Sequence, residues 1–312
     1  MELRQLKSLC LIAQYGTVKE AAKRSFLTSS AISLQIKMLE KELGIKVFER
    51  AGRRLILTLK GEALYQDAQK ILDSVREAVE RTVAETGEFT GKISLIAPAC
   101  VRNFYLPAIA RFRAAYPSIR LTILARSHRD APSTVYSGEA DLAMGLFEQL
   151  PPDLEQLSLV APKLRVILPH NHPVAFKRRI LIRDLAEHPL VLLQPSMTTR
   201  KIIDGVFRKE GLTLRIGMEA STCAEIKRYV ANHIGVGIIH NICIDPEDTS
   251  RFRSMNAESL FPHPEAKLIF RRSKTLSAGE KKLIDFLGPS GLLKKLRNAS
   301  RASLRRSSGQ AA

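Results

Sequence analysis

Residues 17–40 constrain the fold of this chain more than any other stretch, because they combine two short helical patterns with a sharp break between them. In both patterns small or apolar residues recur three or four positions apart, which is typical of one buried helix face. The break at residues 25–27 lacks this periodicity, and Thr28 after it is a good N-cap for a second helix. Two helices joined in this way predict a helix-turn-helix, whose second helix lies in a major groove of DNA. The alternative is an ordinary helical hairpin with a basic face.

A β-hairpin pattern follows the second helix. Residues 45–50 read as a short strand, Gly52 marks a turn, and residues 55–58 read as the returning strand. Arg53 and Arg54 fall in the predicted turn, where two guanidinium groups suit a phosphate backbone or a minor groove. This hairpin, called the wing below, strengthens the helix-turn-helix interpretation.

Residues 3–61 resemble the winged helix-turn-helix of the LysR-type transcriptional regulators. The matching motifs are Gly16-Thr17-Val18, Ala21-Ala22, residues 28–36, Leu39-Glu40, Leu43-Gly44, Phe48-Glu49-Arg50 and Leu57-Thr58-x-x-Gly61. The chain departs from the usual pattern at Ser29, where the family has Gln, and at Leu34, where it often has Arg or Lys. The resemblance implies a regulator that reads double-stranded promoter DNA. We expect DNA contacts from Thr28, Ser29, Ser30, Ser33 and Gln35, a phosphate contact from Lys37, and wing contacts from Arg50, Arg53 and Arg54.

Residues 59–88 carry a long helical pattern without proline. Its apolar residues alternate steps of four and three, which form an a/d seam of nearly three heptads. A narrow seam between two domains favours pairing with a second copy, so we expect a dimerisation linker that presents two recognition helices to two half-sites. The alternative is a long helix that lies on its own globular domain. The seam residues are Leu64, Ala68, Ile71, Val75, Ala78 and Thr82.

From residue 92 onward, strand-like apolar runs alternate with helical ones in two series. The first series begins as βαβαβ, which predicts a mostly parallel sheet with helices on its faces. We expect an α/β effector domain at residues 92–290, with lobe I at 92–162 and 267–290 and lobe II at 163–266. The region resembles the effector-binding half of LysR-type regulators, which is itself like periplasmic solute-binding proteins. The resemblance further implies a small-molecule effector and a tetramer.

The positive charge of the chain indicates either a polyanionic partner or simply a basic proteome. The formal net charge is +18, and residues 1–60, which include the predicted DNA-binding domain at 1–58, carry 12 Lys and Arg against 5 Asp and Glu. Residues 291–312 are rich in Ser, Arg and Ala, without apolar periodicity at their end, and predict a disordered basic tail. The tail either adds nonspecific DNA affinity or has no role.

Effector contacts are expected where strands end and helices begin, because ligands of two-lobed α/β domains bind there. Three stretches fit: residues 98–103, 194–200 and 221–223. In the second stretch the hydroxyl groups of Ser196, Thr198 and Thr199, beside free helix amides, suit a small anion. For Ser196 and Thr198 the alternative is plain N-capping. The candidate contacts are Ala99, Cys100, Arg102, Ser196, Thr198, Thr199 and Thr222.

Residues 159–173 and 226–230 look most like the CysB-like branch of the family, which senses sulfur-related ligands. In that branch the loop after the first strand is threonine-rich and grips the anion. Here the same loop reads Pro98-Ala99-Cys100-Val101, without hydroxyl groups, which argues against sulfate. A small carboxylate or sulfonate stays open, as does a less polar ligand.

The four cysteines are far apart in sequence and form no CxxC or Cys/His ligand motif, so we expect neither a metal nor a cofactor. Cys100 and Cys223 could both face the cleft as a redox pair, and two inert thiols are the alternative. Cys10 is expected in the core of the DNA-binding domain.

Other functional classes lack their sequence signals. No nucleophile elbow, P-loop or helix-opening GxGxxG occurs, which argues against an enzyme. An exported α/β solute-binding protein would need a signal peptide, and the first ten residues do not resemble one. No apolar run is long enough to span a bilayer. We therefore expect a cytoplasmic regulator, with a sequence-neutral architectural DNA-binding protein as the other alternative.

Overall fold

The structure is a computed structural model that describes residues 1–84, 89–124, 126 and 129–288. The basic tail predicted at residues 291–312 lies outside the described residues. The chain begins with three helices, α1 (Leu3–Tyr15), α2 (Val18–Ser25) and α3 (Ser29–Leu43). Ala21 and Ala22 are buried, which lets α2 pack closely, and the hydroxyl of Thr28 accepts from the amide of Ala31 at 3.2 Å, so the predicted cap is present.

The wing consists of β1 (Phe48–Ala51) and β2 (Arg54–Leu57), paired antiparallel around Gly52 at φ 62°. β1 begins three residues later than the strand predicted at 45–50, and β2 begins one residue earlier than the strand predicted at 55–58. Glu40 of α3 accepts from the amide of Val47 at 2.9 Å and from the ammonium of Lys46 at 2.8 Å, which holds these two residues on the helix. Arg54 was predicted in the turn, but it is the first residue of β2 and pairs with Ala51.

The predicted a/d seam lies on the long helix α4 (Leu59–Ala84), and its two halves differ in burial. In its first half Ala68 is buried, and Leu64 and Ile71 pack on the core formed by α1 to α3. In its second half Val75 and Val79 are 40% and 60% exposed. The first half thus matches the alternative of a helix on its own domain, and the second half leaves an apolar strip uncovered.

Two five-stranded sheets build the rest of the described chain. Lobe I contains β3 (Gly91–Ile96), β4 (Ile119–Leu124), β5 (Leu142–Leu146), β6 (Leu154–Ser158) and β12 (Ala266–Arg271), in the order β4-β3-β5-β12-β6. Lobe II contains β7 (Leu164–Leu168), β8 (Leu190–Leu193), β9 (Ile216–Ala220), β10 (Val236–His240) and β11 (Arg253–Asn256), in the order β11-β7-β10-β8-β9.

The sheets are mixed rather than mostly parallel. Among the described strands, each sheet has two parallel pairings, around β3 and around β8, and two antiparallel ones, around β12 and β7. The two strands that make the antiparallel pairings, β7 and β12, are the first strands after the chain crosses from one lobe to the other. These crossings pair with each other: the amide of Leu159 donates to Ala266 at 2.8 Å, and that of Ala266 donates to Val160 at 2.7 Å.

Helices cover the sheets and place their N-termini at strand ends. The helices are α5 (Ala99–Ala115), α6 (Ala131–Tyr136), α7 (Ile182–Ala186), α8 (Thr198–Lys209), α9 (Cys223–Ala231) and α10 (Ala278–Leu287). Residues 98–103 are therefore not a loop: the amide of Arg102 donates to the carbonyl of Pro98 at 2.8 Å, and the helix begins at Ala99. Of the helices that the structure describes, none has the length and apolar character that a membrane span requires.

Replacing Gly61 by Ala is expected to lower the free energy of unfolding by about 1–3 kcal/mol. The added Cβ would lie 2.0 Å from the carbonyl oxygen of Val47, where α4 touches the base of the wing. Gly205 on α8 is the matched control, because nothing lies within 4 Å of its Cβ position. There Ala is expected to stabilise the protein by about 0.5–1 kcal/mol. Urea denaturation measures both changes, and equal effects of the two substitutions would contradict this contact.

Candidate DNA-binding surface and effector cleft

Helix α3 separates a buried face from an exposed one. Ile32, Ile36 and Leu39 are buried against α1 and α2. On the other side Thr28, Ser29, Ser30 and Lys37 are exposed, and Ser33 is half-buried. Leu34, one of the two departures from the family pattern, is 59% exposed beside these polar residues. The exposed face therefore presents hydroxyl groups, a cation and apolar side chains, among them Met38 at 48% exposure.

Gln35 has an internal partner. Its carboxamide oxygen accepts a hydrogen bond from the hydroxyl of Ser8, which is buried in α1. This bond joins the recognition helix to the first helix of the domain and directs Gln35 inward. Its expected DNA contact stays a prediction.

The wing presents its arginines to solvent. Arg50, Arg53 and Arg54 are all exposed, and the ion pairs within the described part of the chain do not involve them. The aliphatic part of Arg54 approaches Gly16, whose carbonyl accepts from the amide of Leu55 at 2.8 Å. This backbone bond fixes the wing on the turn before α2, and Arg53 lies beside Gly52 in the turn of the hairpin.

The start of α8 crosses the cleft between the lobes. The hydroxyl of Thr198 donates to the carbonyl of Leu146 at the end of β5, at 3.3 Å, and Lys201 pairs with Glu148 at 3.0 Å. The N-cap of α8 is Met197, whose side chain makes no capping bond, so neither Ser196 nor Thr198 serves as a plain N-cap. These residues instead bound an opening between the lobes.

A cavity of about 220 Å³ lies at this crossing. Its charged groups are two cations, Arg129 and Lys201, and one anion, Glu148. Ser196 and Thr198 also line it. Its size and its balance of charge suit a small anion. The two hydroxyl residues were predicted from the sequence, but Arg129, Glu148 and Lys201 were not. Arg129 and Glu148 are about 50 to 70 residues away from α8 in the sequence, and Lys201 lies within the helix rather than at its start.

The other expected effector contacts lie elsewhere. Thr199 is buried, and its hydroxyl is 2.8 Å from Nε2 of His240. Burial lowers the pKa of His240 to about 4, so the ring is neutral at neutral pH. Thr222 caps α9 by accepting from the amide of Glu225 at 3.2 Å. Ala99 is the first residue of α5 and is exposed, while Arg102, three residues further along the helix, is half-buried.

A larger cavity of about 630 Å³ lies on lobe II, outside the crossing at α8. Arg165, His170 and Arg253 line it together with Glu258 and Thr249. No single sequence motif marks this cavity, because its lining comes from β7, the turn after it, the segment between β10 and β11, β11 itself and the turn that follows it.

A buried group of charges joins α4 to lobe I. Asp73 of α4 pairs with Arg271 at the end of β12 at 2.8 Å, and Lys274 contacts Asp141 and Glu280 with its side chain 0% exposed. Burial favours the neutral acid, but the ammonium of Lys274 outweighs it and lowers the pKa of Asp141 to about 2. The helix that carries the DNA-binding head is thus anchored to the effector half.

A winged helix-turn-helix with exposed arginines, joined by a long helix to a two-lobed domain with an inter-lobe cavity, defines a DNA-binding regulator that responds to a small molecule. A family model described as "Bacterial regulatory helix-turn-helix protein, lysR family" matches residues 3–62, and "LysR substrate binding domain" matches residues 86–290. The chain belongs to the LysR family of transcriptional regulators. It is therefore a transcriptional regulator with an effector-binding domain, and not an enzyme.

Known relatives cover most of the chain. The RuBisCO operon transcriptional regulator of Allochromatium vinosum is 28% identical over 279 residues, which are 89% of this chain and 92% of that protein. The HTH-type transcriptional regulator CysB of Burkholderia cenocepacia is 28% identical over 284 residues, or 89% and 90% of the two chains. A solved full-length OxyR variant from Pseudomonas aeruginosa has a TM-score of 0.72 at 22% identity, over 94% of this chain and 96% of that one. The last similarity shows the fold alone.

Proposed function

We propose that this LysR-family regulator binds promoter DNA as a dimer or a dimer of dimers, and that a small anion between the lobes changes the arrangement of its DNA-binding heads. The observation that carries the proposal is the anchoring of α4: one helix packs on the DNA-binding core at its start and on lobe I through Asp73. Residues 1–58 act as the DNA-binding domain, residues 59–88 as the linker and residues 92–290 as the effector domain.

The DNA-binding surface consists of the exposed face of α3 and the wing. Thr28, Ser29, Ser30 and Ser33 supply hydroxyl groups that can donate to or accept from base edges, while Lys37 neutralises a phosphate. Arg50, Arg53 and Arg54 contact the backbone or an adjacent minor groove. Support comes from the exposure of the wing arginines and of most of the α3 residues, and from the buried side of α3 that fixes their direction.

Arg53→Ala is expected to weaken binding to all DNA sequences alike and to reduce the slope of log affinity against log salt by about one. The reason is that one phosphate contact, and the counterion it releases, are lost. Fluorescence anisotropy at several salt concentrations measures the slope on specific and random duplexes. Arg208→Ala on α8 removes an equally exposed cation far from the wing and should leave the slope unchanged. An unchanged slope for Arg53→Ala would contradict the proposed phosphate contact of the wing.

Dimerisation is proposed through the second half of α4. Val75 and Val79 lie four residues apart, so they occupy one helix face, and both are exposed in the single chain. Ala78 and Thr82, also exposed, continue this face along the a/d seam. A second α4 packed on the strip would remove this apolar surface from water.

The double substitution of Val75 and Val79 by Glu is expected to shift the protein toward monomer at micromolar concentration, because two carboxylates would face two others across the seam. Sedimentation velocity measures the assembly. Phe176→Glu serves as the control, since it places the same charge at an apolar site that is 75% exposed on lobe II. Retention of the wild-type assembly by the double variant, or equal dissociation by the control, would contradict the linker proposal.

The effector is proposed to be a small carboxylate or sulfonate in the 220 Å³ cavity. Arg129 and Lys201 provide the positive charge, and the hydroxyls of Ser196 and Thr198 provide donors beside the N-terminus of α8. The helix amides there favour a negative group as well. A bound anion would compete with Glu148 for Lys201, and so would replace a contact between the lobes by contacts to itself.

In a thermal-shift screen of the full chain, at least one of acetate, succinate and methanesulfonate is expected to raise the unfolding midpoint, because a ligand that binds only the folded state stabilises it. Thr198→Val should abolish this rise by removing one hydroxyl of the cavity. Thr249→Val, in the larger cavity on lobe II, should leave it intact. The reverse result, with the rise lost only in Thr249→Val, would move the effector site to that larger cavity.

A further inference from the structure

The centre of the exposed face of α3 is apolar. Leu34 and Met38 are 59% and 48% exposed, and their spacing of four residues makes them neighbours on the helix surface. Each residue turns the helix by about 100°, so Leu34 lies opposite the buried side chains of Ile32 and Ile36. The side chain that points most directly away from the core of the domain is therefore a leucine. Leu34 and Met38 are called the apolar patch below.

Polar side chains surround the apolar patch. Ser30 and Lys37, four residues before and three residues after Leu34, are exposed, and Ser33 beside it is half-buried. The hydroxyl oxygens of Ser30 and Thr28 are 2.9 Å apart, so a hydrogen bond joins them at the start of the helix. The patch thus lies inside the surface that is assigned to DNA, and is continuous with it.

The hydroxyl groups on this surface discriminate poorly between bases. A serine or threonine hydroxyl can donate or accept, so it can bond to almost any base edge in the major groove. An apolar side chain is more selective, because thymine presents its C5-methyl group there. The same edge of thymine carries the acceptor O4, which a neighbouring hydroxyl can reach. A leucine next to serines is therefore complementary to thymine, and it would oppose the amino group of cytosine without offering a partner.

The position of Leu34 along α3 favours a contact with a base. Recognition helices of this type place their N-terminal residues against base edges. Leu34 is the sixth residue of α3 (Ser29–Leu43), and side chains on a helix lean toward its N-terminus. Met38 follows one turn later, where it can cover the side of Leu34 that faces away from the N-terminus.

We propose that Leu34 is a specificity-determining residue that contacts the C5-methyl group of a thymine in the major groove of each half-site, with Met38 shielding the contact from water. This inference rests on the proposed function, because it requires that α3 enters the major groove. The Arg or Lys that the family often has at this position would attract the phosphates of every sequence alike. Leucine gives up that general attraction for a contact that depends on one base.

Replacing thymidine by deoxyuridine tests the contact, because uracil lacks only the C5-methyl group of thymine. The full-length protein first selects a duplex from a random pool, and each thymidine of the selected sequence is then replaced in turn. Fluorescence anisotropy at constant salt measures the affinity. We expect a loss of about four-fold at one thymidine of each half-site, the factor that corresponds to one methyl group removed from water.

The scan separates this inference from the proposed function. A selected duplex on which no replacement lowers the affinity would overturn the inference and leave sequence-specific binding intact. A pool that yields no preferred sequence would overturn both.

Substitutions of Leu34 assign the effect to this side chain. Leu34→Ala should bind the thymidine and deoxyuridine duplexes alike, with an unchanged salt slope, because no phosphate contact is lost. Leu34→Lys should also lose the discrimination, but its salt slope should rise by about one. Leu106→Ala is the matched control, since Leu106 on α5 of lobe I is 55% exposed, and it should discriminate as the wild type does.

Two results would contradict the role of Leu34. One is a Leu34→Ala variant that still prefers the thymidine duplex by the wild-type factor. The other is a change in the sedimentation coefficient of Leu34→Ala in the absence of DNA, which would show that the apolar patch is covered by a second copy of the chain instead.

Discussion

The buried charges between α4 and lobe I hold the molecule in its described arrangement. Asp73 and Asp141 face Arg271 and Lys274, and Glu280 completes the set. Charges removed from water are tolerated only when each has a partner, and removing one partner of a buried pair costs about 3–5 kcal/mol. Of these groups only Asp73 belongs to α4, so a rotation of lobe I against the helix would separate Asp73 from Arg271 and carry that cost. The Asp73–Arg271 pair therefore ties lobe I to the helix that leads to the DNA-binding head.

Local sequence signals predicted the DNA-binding half well. The N-cap at Thr28 and the apolar stripe of α3 depend on residues within a few positions of each other, so a local stretch of sequence determines both. Strands β6 and β11 were not predicted, because they are short and depend on the neighbouring strands β12 and β7 rather than on their own periodicity. The a/d seam predicted on α4 lies on one continuous helix, but its first half packs on the core of the DNA-binding domain rather than being free for a second copy.

The candidate effector site was only partly predictable for a related reason. Hydroxyl residues at a helix start can be read from the sequence, and Ser196 and Thr198 do line the cleft. Arg129 and Glu148, by contrast, reach the same place from lobe I, and no spacing rule brings them there. Convergence of this kind belongs to tertiary structure and leaves no mark on local pattern.

The paired crossings between the lobes have a consequence for how such a chain can vary. Because Leu159 and Ala266 are hydrogen-bonded neighbours, lobe II leaves lobe I and re-enters it at almost the same point. Topologically it is an insertion into a smaller, self-contained sheet whose ends it does not displace. Insertions with adjacent ends are the ones that compact domains tolerate best. Lobe II can therefore diverge, or be exchanged as a unit, while the half that is anchored to α4 keeps its geometry.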